Sequence, residues 1–327
     1  MIDVSFSIVA SNERIVLKKC LNSIKDTVKD GINYEMIVID NASTDGTWQM
    51  LTSEFPAIKA IRNEKRKSFC QNHNMAITKS TGKYVLIMNS DVFLLEGFLE
   101  ELVRVIEQNE KIGAVMGKLL LGYPEDKGRT IDSTGVCMLK NRRTTDRGQG
   151  EEDKGQYDIL GPIFSPSGAA MLCRREMLEN IKMDGQYFDE AFYAYKEEID
   201  LCWRARLFGW DMMYAPKAVA YHLRCWGKFT KRQDIPRFIR KHSYKNRYLL
   251  MMKNDHLINV IRDLPYILWH EITALIYVIF REPHLFLAWG QIVMQLPKTL
   301  RKRAEIMKRA VVGPNEIRKW FYLNEHV

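Results

Sequence analysis

The sequence predicts an α/β protein with a mainly parallel sheet covered by helices on both faces, followed by a C-terminal helical extension. Over the first 120 residues, short and nearly continuous apolar runs alternate with amphipathic stretches, a pattern typical of buried parallel strands joined by helices. From about residue 236 the chain is predicted to be helical and is unusually rich in aromatic and aliphatic residues. The composition, 46% hydrophobic and 27% charged residues, excludes a disordered chain, a collagen and a coiled-coil rod.

The apolar pattern predicts the elements of the first half in order. Buried strands are expected at 4–9, 36–39, 57–61, 84–88 and 114–116. Amphipathic helices are expected at 16–24, 69–78 and 97–108. Two of the strands end at a carboxylate, Asp40 after the second and Asp91 after the fourth.

Residues 121–160 interrupt this rhythm because they are polar and rich in glycine. A connection of this length in a compact domain is usually functional or disordered. Helices near 174–180 and 196–208 and a strand pair near 212–214 and 219–221 are expected to complete the body. We therefore divide the chain into a domain over 1–225, with an insertion at 121–160, and a basic helical region over 226–327.

The positive charge of the chain lies in its last third. The 327 residues carry a formal net charge of +9, yet residues 1–221 contain 29 basic and 32 acidic side chains. Residues 222–327 contain 20 basic and 8 acidic side chains, a net charge of +12. A basic region therefore follows a slightly acidic body.

The cysteines indicate a reducing compartment. The chain has six of them and no C-x-x-C pair, which argues against a disulfide framework and a zinc site. The first residues also lack the basic and apolar segments of a signal peptide. We therefore expect a cytoplasmic protein.

The C-terminal region has the composition of a helix that lies on a membrane. Its longest uncharged run, 283–297, has 15 residues, fewer than the roughly 18–20 that a spanning helix needs. Basic residues follow this run directly, and an apolar face beside a basic cluster is typical of a helix on an anionic bilayer surface. The alternative is a helical subdomain that packs on the body or on a second protomer in a homodimer.

Asp40 and Asp91 predict a ligand site, because ligands of open α/β sheets bind beyond the carboxyl ends of the strands. The sequence lacks G-x-G-x-x-G, G-x-x-x-x-G-K-S/T and H-E-x-x-H, the usual phosphate and zinc motifs. A nucleotide site without a glycine-rich loop needs another means of neutralising a diphosphate. Mg²⁺ or Mn²⁺ on Asp91 would supply it, since these ions favour carboxylate and phosphate oxygens.

Several motifs resemble those of the inverting family 2 glycosyltransferases, which have the Rossmann-like GT-A fold, and in particular their rhamnosyltransferase-like branch. The segments Ser7–Asn12 and Ile39–Thr47 resemble the family's opening, and Asn89-Ser90-Asp91 stands at its D-x-D metal motif. The segment 188–204 resembles the acidic catalytic motif, and Ala218–His222 resembles the terminal histidine segment. The resemblance covers about residues 4–225, in the family's order.

The resemblance implies a nucleotide site and a metal site. Asp40 would contact the nucleotide base, and Asp91 and His222 would hold a divalent cation on the diphosphate. Arg66 stands in a basic loop whose side chains would contact phosphate or be solvated. The remaining residues assigned to the nucleotide site are Ala10, Asn12, Glu13, Ser68, Asn74, Asn89 and Ser90.

Three carboxylates in four residues, Glu197, Glu198 and Asp200, mark the expected catalytic base. Acidic residues in a first helical turn are also favoured by the helix dipole alone. Their mutual repulsion tends to raise a pKa, which suits a general base. By the family pattern the base is Glu198, with Glu197 or Asp200 as alternatives, and Arg204 is expected to pair with Asp200.

We therefore expect an inverting glycosyltransferase that moves a sugar from a nucleotide-diphosphate donor to a glycan or lipid-linked glycan acceptor. The branch implies rhamnose, beside the alternatives of UDP- and GDP-sugars. The C-terminal region and the insertion would hold the acceptor at the cytoplasmic face of the membrane. A nucleotidyltransferase and a non-catalytic protein that binds sugar nucleotides, polyanions or membranes are the alternatives. Nucleic acid is not expected, because aromatic and aliphatic residues interrupt the basic ones in the C-terminal region.

Overall fold

Parallel strands form the centre of the main sheet in the computed structural model, which describes residues 2–29, 31–224 and 230–323. The strands are β1 (Val4–Ala10), β2 (Tyr34–Asp40), β3 (Lys59–Arg62), β4 (Tyr84–Asn89), β5 (Val92–Leu94), β6 (Ile112–Leu121), β7 (Ile131–Ser133), β8 (Val136–Leu139), β9 (Thr144–Asp146), β10 (Gly161–Pro162), β11 (Ala170–Arg174), β12 (Asp211–His222) and β13 (Phe321–Tyr322). The helices are α1 (Arg14–Thr27), α2 (Thr47–Glu54), α3 (Phe69–Lys79), α4 (Phe98–Ile106), α5 (Arg175–Ile181), α6 (Glu197–Leu207), α7 (Arg237–Asn254), α8 (Leu257–Arg262), α9 (Leu264–Arg281), α10 (Phe286–Arg309) and α11 (Pro314–Arg318).

The main sheet is mixed and mainly parallel, as the sequence predicts. Among the described residues its strand order is β10-β12-β6-β11-β4-β1-β2-β3, with β5 on β12 and β7 on β6. The pairs β1–β2, β1–β4, β2–β3 and β6–β12 are parallel, whereas β11 runs antiparallel between β4 and β6. The ends of β1 and β4 therefore open at the same edge, where ligand sites of such sheets lie.

The helices pack on this sheet through the apolar stripes that the sequence shows. α1 buries Leu17, Cys20, Leu21 and Ile24, which stand at the spacing of one helical face. Residues 121–160 do not form a long irregular loop. In this insertion β7 extends the main sheet, and β8 and β9 form a second small sheet with β13.

The predicted order needs correction at several points. β11, which lies between β4 and β6 in the sheet, was not among the expected strands. The expected strand pair at 212–221 is one strand, β12, whose pairing with β6 shifts register between Ala215 and Val219. Pro216 lies in this irregular stretch, and proline lacks the N–H that a regular ladder needs.

The C-terminal helices are joined to the body by buried ion pairs. Lys253 of α7 contacts Asp189 at 2.7 Å and Asp200 of α6 at 2.8 Å, and Lys302 of α10 contacts Asp189 at 2.6 Å. Lys253 and Lys302 are 2% and 4% exposed. The ammonium groups of Lys253 and Lys302 hold the pKa of Asp189 well below its usual range, although burial acts in the opposite direction.

The other side of these helices is apolar and uncovered. Trp269, Ile272, Phe280 and Leu287 are each more than half exposed. No single helix of the described residues is long and apolar enough to cross a membrane. Taken together, α9 and the segment 283–309 have the length and composition of a membrane span, but they are bent by 116° where they meet. The division of the chain at residue 225 lies outside the described residues, as does Cys225, one of the six cysteines that were expected to form neither disulfides nor a zinc site.

Replacing Lys253 by Met should destabilise the protein strongly, because it leaves two buried carboxylates with one cation fewer. Loss of one partner of a buried ion pair costs about 3–5 kcal/mol. Lys319→Met is the matched control, since Lys319 pairs with Glu316 at the surface with 68% exposure, and exposed pairs contribute about 0–1 kcal/mol. Urea unfolding measures both free energies, and equal effects of the two substitutions would contradict the prediction.

Candidate active site

A cavity of about 380 Å³ lies at the ends of β1 and β4. Several parts of the chain that are far apart in sequence meet at it. Its lining includes Val9, Glu13, Asn89, Ser90, Asp91, Gly168, Glu197, Glu198, His222 and Arg224. The structure thus brings the predicted metal ligands and two of the predicted catalytic acids to one cavity.

Asp91 and His222 face each other in this cavity. His222, the last residue of β12, has its Nε2 atom 3.3 Å from Oδ1 of Asp91. Its Nδ1 atom lies 2.7 Å from Oδ2 of Asp132 in the insertion, a carboxylate that is fully buried. Burial lowers the pKa of His222, but the hydrogen bonds to Asp132 and Asp91 outweigh burial and raise the pKa to about 9.

These residues fit a divalent cation. When Nδ1 of neutral His222 donates to Asp132, its Nε2 lone pair points toward an Asp91 carboxylate oxygen, and such a pair of acceptors suits a cation between them. Carboxylates are ligands of Mg²⁺ and Mn²⁺, and imidazole is a common ligand of divalent transition-metal ions. Among the described residues no group of three or more His, Cys, Asp or Glu side chains could hold a metal, so the remaining ligands would come from substrate and water.

Glu197 and Glu198 stand in the first turn of α6 and differ in environment. Glu197 is 5% exposed, and its Oε2 atom has no hydrogen-bond partner among the described residues. Burial and the neighbouring Glu198 raise the pKa of Glu197 well above its ordinary value. Burial also raises the pKa of Glu198, but Lys196 and Arg224 oppose it. Lys196 acts on both acids, but Arg224 additionally favours the ionised form of Glu198.

Asp200 points away from the cavity, which corrects its place among the candidate bases. It is fully buried, and its carboxylate contacts Lys253 at 2.8 Å, Arg204 at 3.1 Å and Asn254 at 2.8 Å. The expected pair with Arg204 is present. A carboxylate with no exposed surface and two cations bound to it cannot reach a substrate hydroxyl, so Asp200 is unsuited to remove a proton from a substrate.

The loop before Glu197 is held in an unusual backbone conformation. Tyr193, Tyr195 and Lys196 have φ angles of 68°, 72° and 69°, a region that side-chain-bearing residues rarely adopt. The Asn246 side chain of α7 donates hydrogen bonds to the carbonyls of Phe192, Ala194 and Tyr195, at 2.7 to 2.9 Å. The C-terminal region therefore fixes the loop that precedes the candidate base.

A second cavity of about 390 Å³ lies beside the ends of β2 and β3. Ser43, Thr44, Arg62 and Asn63 are among its lining residues. Asp40 lies beneath it with no exposed surface; its Oδ1 accepts from the Ser43 N–H at 3.0 Å and its Oδ2 lies 3.3 Å from Arg62 Nε. In this conformation Asp40 orients the residues that line the cavity and does not line it itself.

Asn12 and Glu13 lie between the two cavities. The Asn12 Oδ1 atom accepts from the Thr44 N–H at 2.7 Å, and the Asn12 N–H donates to Ser43 Oγ at 3.0 Å. Ser90 Oγ donates to Glu13 at 2.5 Å. Ala10, the last residue of β1, is 1% exposed, so any contact it makes with a ligand would be through its backbone.

Three further residues assigned to the nucleotide site also lie outside both cavities. Ser68 caps α3 together with Gln71. The Asn74 Oδ1 atom accepts from the N–H of Tyr187 and of Phe188 at 3.2 and 2.8 Å, so Asn74 holds the segment before α6. Arg66 is exposed in its loop and does not line either cavity. The structure thus gives Ser68 and Asn74 structural roles.

Asp132 was missed by sequence reasoning. It is paired with His222 and also accepts from Arg224 at 2.7 Å. The one sequence signal is a lone carboxylate between Ile131 and Ser133 in a stretch that was not expected to form a strand. Nothing in the sequence indicates that it meets a histidine 90 positions away.

Comparisons with known proteins support the fold. The structure is similar to that of S. aureus TarS 1–349 in complex with UDP-GlcNAc, with a TM-score of 0.55, 14% identity and coverage of 98% of this chain and 84% of that one. It is also similar to a mannosyltransferase from Pyrobaculum calidifontis in complex with GDP-Man and Mn²⁺, with a TM-score of 0.50, 17% identity and coverage of 98% and 83%. The chain therefore has the GT-A fold.

The family follows from the sequence profile of glycosyl transferase family 2, which matches residues 5–182, more than half of the chain. The chain belongs to this family. A curated relative, the beta-monoglucosyldiacylglycerol synthase of Nostoc sp., is 24% identical over 220 residues, which is 64% of this chain and 42% of that protein. The matched region spans less than half the length of the curated relatives.

If Asp91 and His222 hold the cation, Asp91→Asn should abolish measurable binding of Mn²⁺ in the presence of a nucleoside diphosphate, because it removes one of the two expected protein ligands. Asp132→Asn should weaken Mn²⁺ binding by about 10–100-fold, the usual effect of losing a partner that orients a ligand. Glu110→Gln is the control, since Glu110 is exposed and remote. Electron paramagnetic resonance of free Mn²⁺ measures the Mn²⁺ affinity of all three variants. Unchanged affinity in Asp132→Asn would contradict the role of Asp132 in orienting His222 toward the cation.

Proposed function

We propose that this protein is an inverting glycosyltransferase that transfers a sugar from a nucleotide-diphosphate donor to an acceptor hydroxyl by direct displacement. The observation that carries the proposal is the meeting of Asp91, His222 and Glu198 at one cavity. Membership of the family and the sugar nucleotides named for the two similar structures support it. The family match gives no support to a nucleotidyltransferase, and the retained acids argue against a non-catalytic binding protein.

The nucleotide would lie across the two cavities. Its base and ribose would occupy the cavity at Ser43 and Arg62, and its diphosphate would reach Asp91 past Asn12 and Glu13. Asp91 and His222 would hold Mg²⁺ or Mn²⁺, which when bound supplies a Lewis acid for the charge that develops on the leaving diphosphate. Asp132 orients the His222 ring for this task.

Glu198 would act as the general base. Its carboxylate takes the proton of the acceptor hydroxyl while that oxygen attacks the anomeric carbon from the face opposite the diphosphate. The bond between the anomeric carbon and the diphosphate oxygen breaks, and the configuration at carbon inverts. Burial and the neighbouring Glu198 raise the pKa of Glu197, which favours its protonated form beside the base.

The donor sugar is proposed from the family resemblance, and the acceptor from the exposed surface of the C-terminal helices. The resemblance to the rhamnosyltransferase-like branch favours rhamnose as the transferred sugar. The exposed apolar residues of α9 and α10 beside a basic region favour a glycan or lipid-linked glycan acceptor at the cytoplasmic face of a membrane. A homodimer formed through the same apolar face is the competing arrangement.

Glu198→Gln should lower the rate of sugar transfer by about 10²–10⁴-fold, the usual contribution of a general base. Glu197→Gln, which preserves the shape of a protonated glutamic acid, should cause a smaller loss. A screen of dTDP-, UDP- and GDP-sugars with Mg²⁺ or Mn²⁺ identifies the donor, with Asp91→Ala as the inactive reference. Failure of every donor to turn over with either metal would overturn the proposed function, whereas full activity of Glu198→Gln would overturn only the choice of base.

The pH profile gives a second readout of the same base. Burial raises the pKa of Glu198, and only its unprotonated form accepts a proton. The rate should therefore fall on the acidic side with an apparent pKa above about 4.3, the ordinary value of glutamate. A rate that stays constant down to pH 4 would show that a different group limits the reaction.

A further inference from the structure

A third cavity, of about 550 Å³, lies between the insertion and the C-terminal helices. It is lined by the loop between β8 and β9, by the residue before α6, and by α7 and α9. Its charged lining residues of the described chain are all cationic: Arg143, Lys196, Arg232, Arg240 and Arg247. None of the roles described above uses this cavity.

The charges of this cavity are only partly balanced. Glu282 pairs with Arg232 and Arg240, and Glu271 pairs with Arg247 at 2.5 Å. Glu282 is thus shared by two arginines, and neither Glu282 nor Glu271 lines the cavity. Concentrating cations in a partly enclosed space is unfavourable unless an anion joins them.

The arginines present donors for such an anion. The side chains of Arg240 and Arg247 are only 12% and 8% exposed. Their Nε atoms are buried and have no hydrogen-bond partner among the described residues. Burial, together with the positive charges of Arg247 and Arg143, lowers the pKa of Lys196 to about 8 despite the nearby Glu198. The guanidinium groups match phosphate oxygens in geometry.

Lys196 links this cavity to the candidate active site. It lines the cationic cavity and is followed directly by Glu197 and Glu198, which line the cavity with Asp91. Its ammonium group donates to Thr144 Oγ1 at 2.9 Å. An acceptor whose hydroxyl lies at Glu198 would therefore place a neighbouring group in the cationic cavity.

Apolar surface continues from the same cavity. Tyr277, Val278 and Leu285 are among its lining residues. The next residues of α9 carry exposed apolar side chains, with Ile276 52% and Phe280 77% exposed. A ligand with an anionic head and an apolar chain matches this succession of surfaces.

We infer that the cationic cavity binds a phosphate or diphosphate group of the acceptor, next to the hydroxyl that receives the sugar. The identification of the ligand as the acceptor rests on the proposed function, but the anion site itself does not depend on it. The apolar surface of α9 favours a lipid as the carrier of this phosphate. A water-soluble phosphorylated glycan presents the same head group, and the experiment separates the two sources.

Calorimetry with inorganic pyrophosphate, in buffer that contains EDTA, tests the site on the full chain. EDTA keeps the probe from binding through a metal at Asp91. Arg143→Gln and Arg247→Gln should each weaken pyrophosphate binding by about 10-fold or more, because a hydrogen bond to a charged group is worth about 1.5–3 kcal/mol. Arg247→Lys should restore part of the affinity. Lys308→Gln, at an exposed position of α10, is the matched control and should bind as the unchanged protein does.

Arg143 is exposed on its loop, so Arg143→Gln should fold normally and keeps the test valid if Arg247→Gln does not fold. Absence of pyrophosphate binding, or equal weakening by Lys308→Gln and Arg143→Gln, would overturn the inference. Binding of Mn²⁺ and nucleotide should be unchanged in Arg143→Gln. If the unchanged protein failed to bind Mn²⁺ and nucleotide, the proposed function would be refuted, whereas the anion site would not be affected.

Vesicles identify the carrier of the phosphate. The unchanged protein should bind phosphatidylcholine vesicles that contain a polyprenyl phosphate, and Arg143→Gln should bind them at least about 10-fold more weakly, the same loss as for pyrophosphate. Pyrophosphate binding without vesicle binding would support the anion site and assign it to a water-soluble acceptor. Equal binding of vesicles with polyprenyl phosphate and vesicles with phosphatidylglycerol would overturn recognition of a phosphate head group in favour of a general attraction to anionic surfaces.

Discussion

The buried charges of Asp189 and Asp200 are the constraint on which the arrangement of this molecule depends. A carboxylate removed from water needs cations and hydrogen bonds close by, or folding becomes costly. Arg204 supplies one of these cations from within α6, but Lys253 and Lys302 come from the C-terminal helices. Asp200 lies in the first turn of the helix that begins with Glu197 and Glu198. The C-terminal region and the turn that carries Glu197 and Glu198 are therefore parts of one structural unit.

This constraint organises the charge of the whole chain. The slightly acidic body and the basic C-terminal region are not independent, because some of the body's carboxylates are neutralised by that region. The same region supplies Asn246, which holds the unusual backbone before Glu197. Around the candidate active site the acids lie on the side of Asp91 and the cations lie beyond Lys196. A metal-bound donor and an anionic acceptor would thus meet at Glu198 from opposite sides.

Much of the sheet could be predicted, because β1 and β4 are continuous apolar runs and α1 has a regular buried stripe. The order of the motifs predicted that Asp91 and His222 act together, and the two residues do meet at one cavity. The burial of Asp200 could not be predicted, because acids in a first helical turn look alike in sequence and only Lys253, 53 residues later, distinguishes them. Asp132 was hidden for the same reason, since its partner is distant in sequence. The basic C-terminal region was expected to be an addition to the body because composition shows charge but not what the charge contacts.

Hydrogen exchange of the full chain in its native state tests most directly whether the C-terminal helices and the first turn of α6, with Glu197 and Glu198, form one unit. Segments that unfold together share one free energy of opening. Amides of α6 and of the buried half of α7 should therefore exchange with the same free energy of opening and the same dependence on denaturant. If the amides of α7 and α10 exchanged through a separate opening of much lower free energy, while α6 stayed protected, the C-terminal region would be an independent module and the account would be contradicted.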